Sequence, residues 1–131
     1  MARILIVEDE PDISLSLQED LRRQGHETTP AMDGEQGLRL GKENRWDLIL
    51  LDVMMSWIDG FELCRAVKKN DEFRDIPVIF ISAKKTANDI RTGLAAGASD
   101  YFSKPIDMER LLARIAQLIG PASPATPEQR R

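Results

Sequence analysis

The sequence predicts an α/β domain built on a parallel sheet, because short apolar segments alternate with segments of helical periodicity. Residues 4–7, 47–53 and 77–82 are three such segments, nearly continuous in Ile, Leu, Val and Phe. Runs of this kind are typical of strands buried on both faces of a parallel sheet. Alternation of strand and helix along the whole chain favours right-handed crossovers, with helices on both faces of the sheet.

The five strands are expected to begin near positions 3, 27, 47, 77 and 100. The second, over residues 27–30, has a weak composition and is predicted mainly because helical segments flank it. The fifth, residues 100–103, is brief. In the first helix Ile13, Leu17 and Leu21 recur every four residues, as on the buried face of an amphipathic helix. The last helix carries a similar apolar stripe: Met108, Leu111, Leu112, Ile115, Leu118 and Ile119.

Start and stop signals agree with these helices. Pro11 suits a first helical turn, where its missing N–H has no consequence. Asp33 with Gln36, and Thr86 with Asp89, have the spacing of capping boxes. Three glycines stand where helices are expected to end: Gly25, Gly97 and Gly120.

Composition limits the function. A net charge of −4 argues against a general nucleic-acid-binding surface. Cys64 is the only cysteine and His26 the only histidine, so an internal disulfide and a Cys- or His-rich metal cluster are excluded. No apolar run approaches the roughly 18 to 20 residues that cross a bilayer, and no signal-peptide pattern opens the chain, so we expect a cytoplasmic protein without membrane association.

The chain of 131 residues is expected to divide into one domain and a short tail. Residues 1–120 form the domain. Residues 121–131 are rich in proline and lack an apolar anchor, which predicts a disordered tail or a truncated linker.

Polar residues follow the predicted strands at one edge of the sheet, where open α/β sheets bind their ligands. Crowded carboxylates raise one another's pKa unless a cation lies between them. Oxygen ligands without His or Cys suit Mg²⁺, with Mn²⁺ as an alternative. A carboxylate in such a site is a candidate nucleophile for phosphoryl transfer, with a lysine and a hydroxyl stabilising the transferred oxygens. The residues concerned are Glu8, Asp9, Glu10, Asp52, Ser82 and Lys104.

Each of these residues taken alone also fits an ordinary structural role. Asp52 could simply end a strand, residues 8–10 could be a solvated acidic turn, Ser82 a cap and Lys104 a surface residue. Their common position at one sheet edge is what indicates chemistry.

As a set, these residues resemble the response-regulator receiver family of two-component signalling, which includes chemotaxis regulators. The resemblance covers roughly residues 2–120 and rests on an acidic pair, an acceptor Asp, a hydroxyl residue and a Lys-Pro pair. Here these motifs are Glu8-Asp9, Asp52, Ser82 and Lys104-Pro105. The resemblance implies a flavodoxin-like fold with five helices and five parallel strands in the order 2-1-3-4-5.

The resemblance also implies roles for the residues. Asp52 would accept a phosphoryl group from a histidine kinase or phosphotransfer protein. Asp9, Asp52 and the backbone carbonyl of Met54 would hold Mg²⁺, with Glu8 acting mainly through water. Lys104 would contact the phosphoryl group, and the peptide bond between Lys104 and Pro105 would be cis.

The switch is implied by the same resemblance. Ser82 would move toward the phosphoryl group and free a space that Tyr101 enters, although Tyr101 could instead be an amphipathic edge residue. The output surface would be the fourth helix, fifth strand and fifth helix within residues 87–119, which could also form a homodimer. The chain would catalyse only its own phosphorylation and dephosphorylation, and the effector is unknown.

Several positions depart from the family pattern or have weaker roles. Ser56 stands where the family usually has proline, which predicts a more flexible loop. Met54 and Lys84, each two positions past a site residue, are predicted to tune the lifetime of the phosphorylated state. Trp57 is expected to be a partner contact or a loosely packed loop residue. His26 is expected to be a solvated surface residue. Cys64 is predicted to be a small core residue.

Three alternative functions share parts of this pattern. A hydrolase of the haloacid-dehalogenase type needs a second Asp two positions after the nucleophile, where this chain has Met54. A flavodoxin-like flavin binder needs a phosphate-cradling loop after the first strand, whereas residues 8–12 are acidic here and would repel phosphate. A docking module that works without phosphorylation is the remaining alternative.

Overall fold

The computed structural model describes residues 2–43, 45–55 and 58–120, and shows one parallel sheet of five strands in the order β2-β1-β3-β4-β5. The predicted order and strand number are confirmed, and strand starts agree with the sequence within one residue. The strands are β1 (Arg3–Val7), β2 (Glu27–Ala31), β3 (Leu48–Asp52), β4 (Val78–Ser82) and β5 (Asp100–Ser103).

One helix follows each strand, which confirms the predicted alternation. Ser56, Trp57 and the predicted tail over residues 121–131 lie outside the described residues. Within the described residues, no helix combines the length and the apolar character needed to span a membrane. The helices are α1 (Pro11–Arg23), α2 (Gly34–Glu43), α3 (Gly60–Lys69), α4 (Ala87–Ala95) and α5 (Met108–Ile119).

Two apolar cores lie on opposite faces of the sheet and explain the continuous apolar strands. Successive side chains of a strand point to opposite faces. In β3, for example, Leu48 and Leu50 belong to one core, while Ile49 and Leu51 belong to the other. All five residues of β3 and all five of β4 are buried. Strands β3 and β4 could therefore be predicted from their composition alone.

The edge strand β2 has a different environment. It pairs only with β1, with Glu27 opposite Arg3 and Ala31 opposite Val7. Of its residues only Ala31 is buried. A half-buried edge strand requires no apolar run, which is why this strand was detectable from the rhythm of the elements rather than from its residues.

The helix boundaries use the predicted signals, with one difference. Thr86 and Asp89 form a reciprocal capping box at the start of α4. At the start of α2, the N–H of Gln36 donates to Asp33, but the Gln36 side chain accepts from the N–H of Met32 rather than from that of Asp33. Positive φ angles at three glycines allow the chain to turn after α1, α4 and α5: Gly25, Gly97 and Gly120.

His26 corrects one sequence-based expectation. It was predicted to be solvated, but only 7% of its surface is exposed. Its backbone N–H donates to the carbonyl of Leu21, so the turn after α1 holds the residue against the sheet. Burial lowers the pKa of His26, because the charged imidazolium loses hydration there.

Cys64 is a core residue, as predicted, and we expect its thiol to be unreactive in the native protein. It is fully buried on α3, where its Sγ donates to the carbonyl of Ala96 at 3.5 Å. Burial raises the pKa of Cys64 to about 11, so at pH 8 only roughly one thiol in a thousand is a thiolate. An aromatic disulfide reagent should show no reaction over an hour in native buffer and one equivalent in denaturant. Rapid stoichiometric reaction of the native protein would contradict this buried position.

Candidate phosphoacceptor site

The candidate site lies at the carboxyl edge of the sheet, where adjacent parallel strands end side by side. Glu8 directly follows β1, Asp52 ends β3 and Ser82 ends β4. Lys104 follows β5, and its backbone N–H donates to the carbonyl of Ser82 at 2.8 Å. The strand order therefore brings together residues that are far apart in the sequence.

An acidic cluster occupies the middle of this edge. Glu8 and Asp52 are almost completely buried, with 0% and 2% of their surfaces exposed, whereas Asp9 is half-buried. Each of the three offers a carboxylate oxygen, and these oxygens lie within 4.8 Å of one another. Oxygen ligands this close are the kind that bind Mg²⁺.

The hydrogen bonding of Glu8 tests this fit independently. Its Oε2 accepts from the N–H of Glu10 at 3.1 Å. Its Oε1 lies 3.0 Å from Lys104 Nζ, but the two groups are not aligned as a hydrogen bond. Within the described residues, Oε1 thus remains a buried acceptor without a hydrogen-bond donor. An acceptor of this kind fits a bound cation or its hydration water.

Lys104 neutralises part of the acidic cluster. Its Nζ lies 3.0 Å from Glu8 Oε1, 3.1 Å from Glu10 Oε1 and 3.4 Å from Asp52 Oδ2. The lysine side chain is only 14% exposed. The peptide bond between Lys104 and Pro105 is cis. A single ammonium group therefore faces three carboxylates across the cleft.

Burial and neighbouring charges shift the pKa values of three residues of the site. Burial, and then the neighbouring charge of Asp52, raise the pKa of Glu8 to about 7. Burial also raises the pKa of Asp52, although Lys104 works against that shift. For Lys104, burial works to lower the pKa, but the close contacts with Glu8 and Glu10 and the charge of Asp52 together raise it. These shifts favour the protonated form of Lys104 and also that of Glu8.

Glu8→Gln is expected to stabilise the fold at pH 8 in metal-free buffer. The folded-state pKa of Glu8 is about 7, above its ordinary value of 4.5, so folding favours the protonated form. Wild-type stability should therefore fall as the pH rises from about 4.5 to 7. One pKa unit corresponds to about 1.4 kcal/mol, and loss of the Lys104 ion pair offsets part of the gain, so we expect about 1 to 3 kcal/mol.

Urea unfolding in the presence of a chelator at pH 5 and pH 8 measures this effect. Glu19→Gln, which removes the same charge at an exposed position of α1, is the control and should change little at either pH. Equal pH dependence in wild type and Glu8→Gln would contradict the assigned cost of burying this carboxylate. Addition of Mg²⁺ should restore stability to the wild type more than to the variant.

The hydroxyl and aromatic residues form a second row beside the cluster. Ser82 is fully buried, and its Oγ accepts from the N–H of Lys84 at 3.0 Å. The Tyr101 hydroxyl donates to the carbonyl of Lys84 at 2.6 Å. The Tyr101 ring lies 5.9 Å from that of Phe80, measured between centroids. A Cβ at Gly93 would lie 2.9 Å from this ring, so α4 packs closely against it.

A cleft of about 250 Å³ opens onto the acidic cluster. The N–H of Met54 donates to Asp52 Oδ1 at 3.1 Å, and its side chain is exposed at the cleft. Lys84 instead lies with Met54 along a neighbouring hollow. The backbone of Lys84 contacts both Ser82 and Tyr101, through its N–H and its carbonyl respectively. The residues lining the cleft are Asp9, Glu10, Asp52, Met54, Ala83 and Lys104.

Glu10 is the residue to which the sequence assigned no role of its own. It was recognised as one of the acidic residues after the first strand, but the resemblance gave it no function. Its contact with Lys104 joins positions 94 residues apart. The only sequence signal was a third acidic residue directly after the acidic pair.

Residues 4–116 match the family model described as the response regulator receiver domain. The chain belongs to this family. The match covers the sheet except for Arg3, the acidic cluster and most of α5, so it contains every residue of the candidate site.

Curated relatives of this receiver domain are bacterial regulators. It is 42% identical over 119 residues to the transcriptional regulatory protein AfsQ1 of Streptomyces coelicolor, covering 91% of this chain and 52% of that protein. It is 40% identical to the response regulator ArlR of Staphylococcus saprophyticus, covering 91% and 53%. The chain spans about half the length of these curated relatives.

Solved structures of receiver domains share the fold. The receiver domain of the Francisella response regulator 1452 matches with a TM-score of 0.85 at 30% identity, covering 91% of this chain and 97% of that chain. The receiver domain of the sensor histidine kinase PA1611 from Pseudomonas aeruginosa matches with a TM-score of 0.84 at 31% identity, covering 91% and 98%. That structure has a magnesium ion coordinated in its active-site cleft.

Proposed function

We propose that this receiver domain accepts a phosphoryl group on Asp52 in a Mg²⁺-dependent reaction. The observation that carries the proposal is the Asp52 carboxylate at the end of β3, clustered with Glu8 and Asp9 and 3.4 Å from the Lys104 ammonium. A buried carboxylate between an oxygen-rich cation site and a lysine can attack phosphorus while positive charge faces the transferred oxygens.

Each residue of the site has its own role in the proposed phosphoryl transfer. An oxygen of Asp52 forms the new P–O bond as the P–N bond of a phosphohistidine donor breaks, and the leaving nitrogen keeps the bonding electrons. Lys104 contacts the phosphoryl oxygens. Asp9, Asp52 and the Met54 carbonyl would hold Mg²⁺, with Glu8 acting through water. When bound, Mg²⁺ would neutralise negative charge on the phosphoryl group.

The signal is proposed to leave through α4, β5 and α5. Ser82 would turn toward the phosphoryl group. Its Oγ would then lose the hydrogen bond that it now accepts from the N–H of Lys84 and contact the phosphoryl group instead. Tyr101 would respond because its hydroxyl donates a hydrogen bond to the carbonyl of Lys84. This coupling through one short segment supports a local charge event that biases a surface with two states.

The donor is proposed to be a histidine kinase or phosphotransfer protein. No direct binding of nucleic acid or membrane is proposed for the domain itself, and a homodimer through the α4, β5 and α5 surface is one output that the proposal includes. The effector is left open. Three statements stay predictions from the sequence. They are a receiver unit over residues 1–120, a tail or truncated linker over residues 121–131, and a cytoplasmic location.

Intact mass after incubation with phosphoramidate and Mg²⁺ tests the proposed function. Wild type should gain one phosphoryl group, and both a chelator and Asp52→Asn should abolish the gain. If wild type gains nothing with several small donors and with purified kinases, phosphorylation of Asp52 is wrong. A docking module that works without phosphorylation would then be the better assignment.

Met54→Asn is expected to change the lifetime of the phosphorylated state. Met54 is 52% exposed at the cleft, beside the carboxylate that would be phosphorylated. Its thioether cannot orient an attacking water strongly, whereas an amide can donate and accept hydrogen bonds. We expect a change of at least twofold in the rate of dephosphorylation, measured by loss of the phosphorylated mass after the donor is removed. Met32→Asn, at an exposed position outside the cleft, is the control, and equal rates for Met54→Asn and wild type would contradict the prediction.

A further inference from the structure

The Lys104 ammonium group donates hydrogen bonds to Glu10 and Asp52, and it forms an ion pair with Glu8 without hydrogen-bond alignment. An ammonium group carries three N–H bonds. Three carboxylates surround Nζ, those of Glu8 at 3.0 Å, Glu10 at 3.1 Å and Asp52 at 3.4 Å. A phosphoryl oxygen that approaches Lys104 therefore competes with these carboxylates for the ammonium group.

The three contacts differ in how easily they can be given up. Glu8 and Asp52 have side chains that are 0% and 3% exposed, so each would remain as a buried charge without its cation. The Glu10 side chain is 61% exposed and can turn into water. Solvent-exposed ion pairs are also weak. Glu10 is consequently the contact that yields first.

The backbone of Glu10 is fixed while its side chain has no other described bond. The residue is the N-cap of α1, yet its side chain makes no capping hydrogen bond. Its N–H donates to Glu8 Oε2, and its carbonyl accepts from the N–H of Ser14. Within the described residues, the carboxylate bonds to Lys104 alone. Its contribution is therefore to the cleft rather than to the start of the helix.

We propose that Glu10 is a positioning residue that holds Lys104 at the mouth of the cleft and competes with the incoming phosphoryl group for the ammonium. This inference rests on the proposed function and adds a determinant of its rate. In the unphosphorylated site the lysine is paired with carboxylates, and an anionic donor competes with Glu10 for the contact with Lys104. Removing the charge of Glu10 should thus increase the efficiency with which small anionic donors are used.

Phosphorylation kinetics of Glu10→Gln test the competition. With saturating Mg²⁺ and a series of phosphoramidate concentrations, the second-order rate constant should rise roughly two- to fivefold, the size expected for an exposed ion pair. The gain should appear as a lower half-saturating donor concentration with an unchanged maximal rate. High salt should reduce the gain, because it screens the exposed charge. The stability of the variant in urea should remain that of wild type.

Asp12→Asn is the matched control. Asp12 is an exposed acidic residue in the first turn of α1, two positions from Glu10. Its substitution by Asn removes the same charge as Glu10→Gln. Within the described residues its carboxylate has no bond to Lys104. An increase for Glu10→Gln that clearly exceeds that for Asp12→Asn supports the proposal. Equal increases would indicate general repulsion of the donor and overturn it, as would an unchanged or slower rate for Glu10→Gln.

A second measurement separates this inference from the proposed function. Reductive methylation of Lys104, followed by peptide mass and normalised to exposed Lys69, reports the availability of the amine without any phosphorylation. Glu10→Gln should accelerate it at least twofold relative to Asp12→Asn. If wild type accepts no phosphoryl group, the proposed function fails and the methylation rates still decide whether Glu10 holds Lys104. Equal methylation rates in the two variants would overturn that assignment.

Discussion

Gly60→Ala is expected to destabilise the domain by about 3 kcal/mol and to impair phosphorylation of Asp52. Gly60 is the first residue of α3, and its N–H donates to the carbonyl of Val53 at 2.9 Å. A Cβ added here would lie 2.4 Å from the Asp52 carbonyl oxygen and 2.8 Å from Val53 Cα. Both are backbone atoms that no rotamer change can move. The end of β3, which carries the proposed phosphoacceptor Asp52, would have to shift.

Gly41→Ala is the matched control for this substitution. Gly41 lies in α2, and an added Cβ would have its nearest neighbour, Val67 Cγ2, at 4.0 Å. Without a clash, alanine should stabilise the helix, by up to about 1 kcal/mol. Urea unfolding of both variants and the phosphorylated fraction by intact mass measure the two effects. A Gly60→Ala variant as stable as Gly41→Ala would show that α3 does not press against the end of β3.

A strand could be predicted from its own residues where burial on both faces requires an apolar composition. The central strands β3 and β4 are covered on both faces and so contain little except apolar residues. The edge strand β2 is half-buried, and only the alternation of elements revealed it. His26 shows the limit, since its burial depends on how the turn after α1 meets the sheet. That geometry is tertiary and leaves no local pattern.

The site was predictable in its backbone positions but not in its side-chain contacts. Because parallel strands end at one edge, residues such as Glu8, Asp52 and Lys104 could be placed together without coordinates. The sequence could not show how one ammonium group is shared among several carboxylates. The ion pair between Glu10 and Lys104 depends on two long side chains reaching across the cleft. Likewise, Lys84 is connected to Ser82 and Tyr101 through its backbone, which its side-chain chemistry does not reveal.

Phe80→Ala is expected to lower the free energy of unfolding by about 3 to 5 kcal/mol. Phe80 is fully buried on β4. Its ring meets that of Phe61 edge-to-face at 5.2 Å and that of Tyr101 at 5.9 Å. Truncation removes the apolar burial of the ring and both aromatic contacts, and leaves a cavity that the surrounding strands can fill only in part. Tyr101 should gain freedom, because one wall of its position is lost.

Urea unfolding measures the loss, and NMR signals of tyrosine-labelled protein report on Tyr101, the only tyrosine in the chain. Phe80→Leu keeps most of the volume and should lose clearly less stability than Phe80→Ala. Leu15→Ala, at a position 51% exposed on α1, should change stability by no more than about 0.5 kcal/mol. A loss below about 1 kcal/mol for Phe80→Ala would mean that the core beneath the candidate switch is loosely packed. If stability falls as expected while the Tyr101 signals stay unchanged, its bond to the Lys84 carbonyl and its contact with Gly93 hold the ring in place without Phe80.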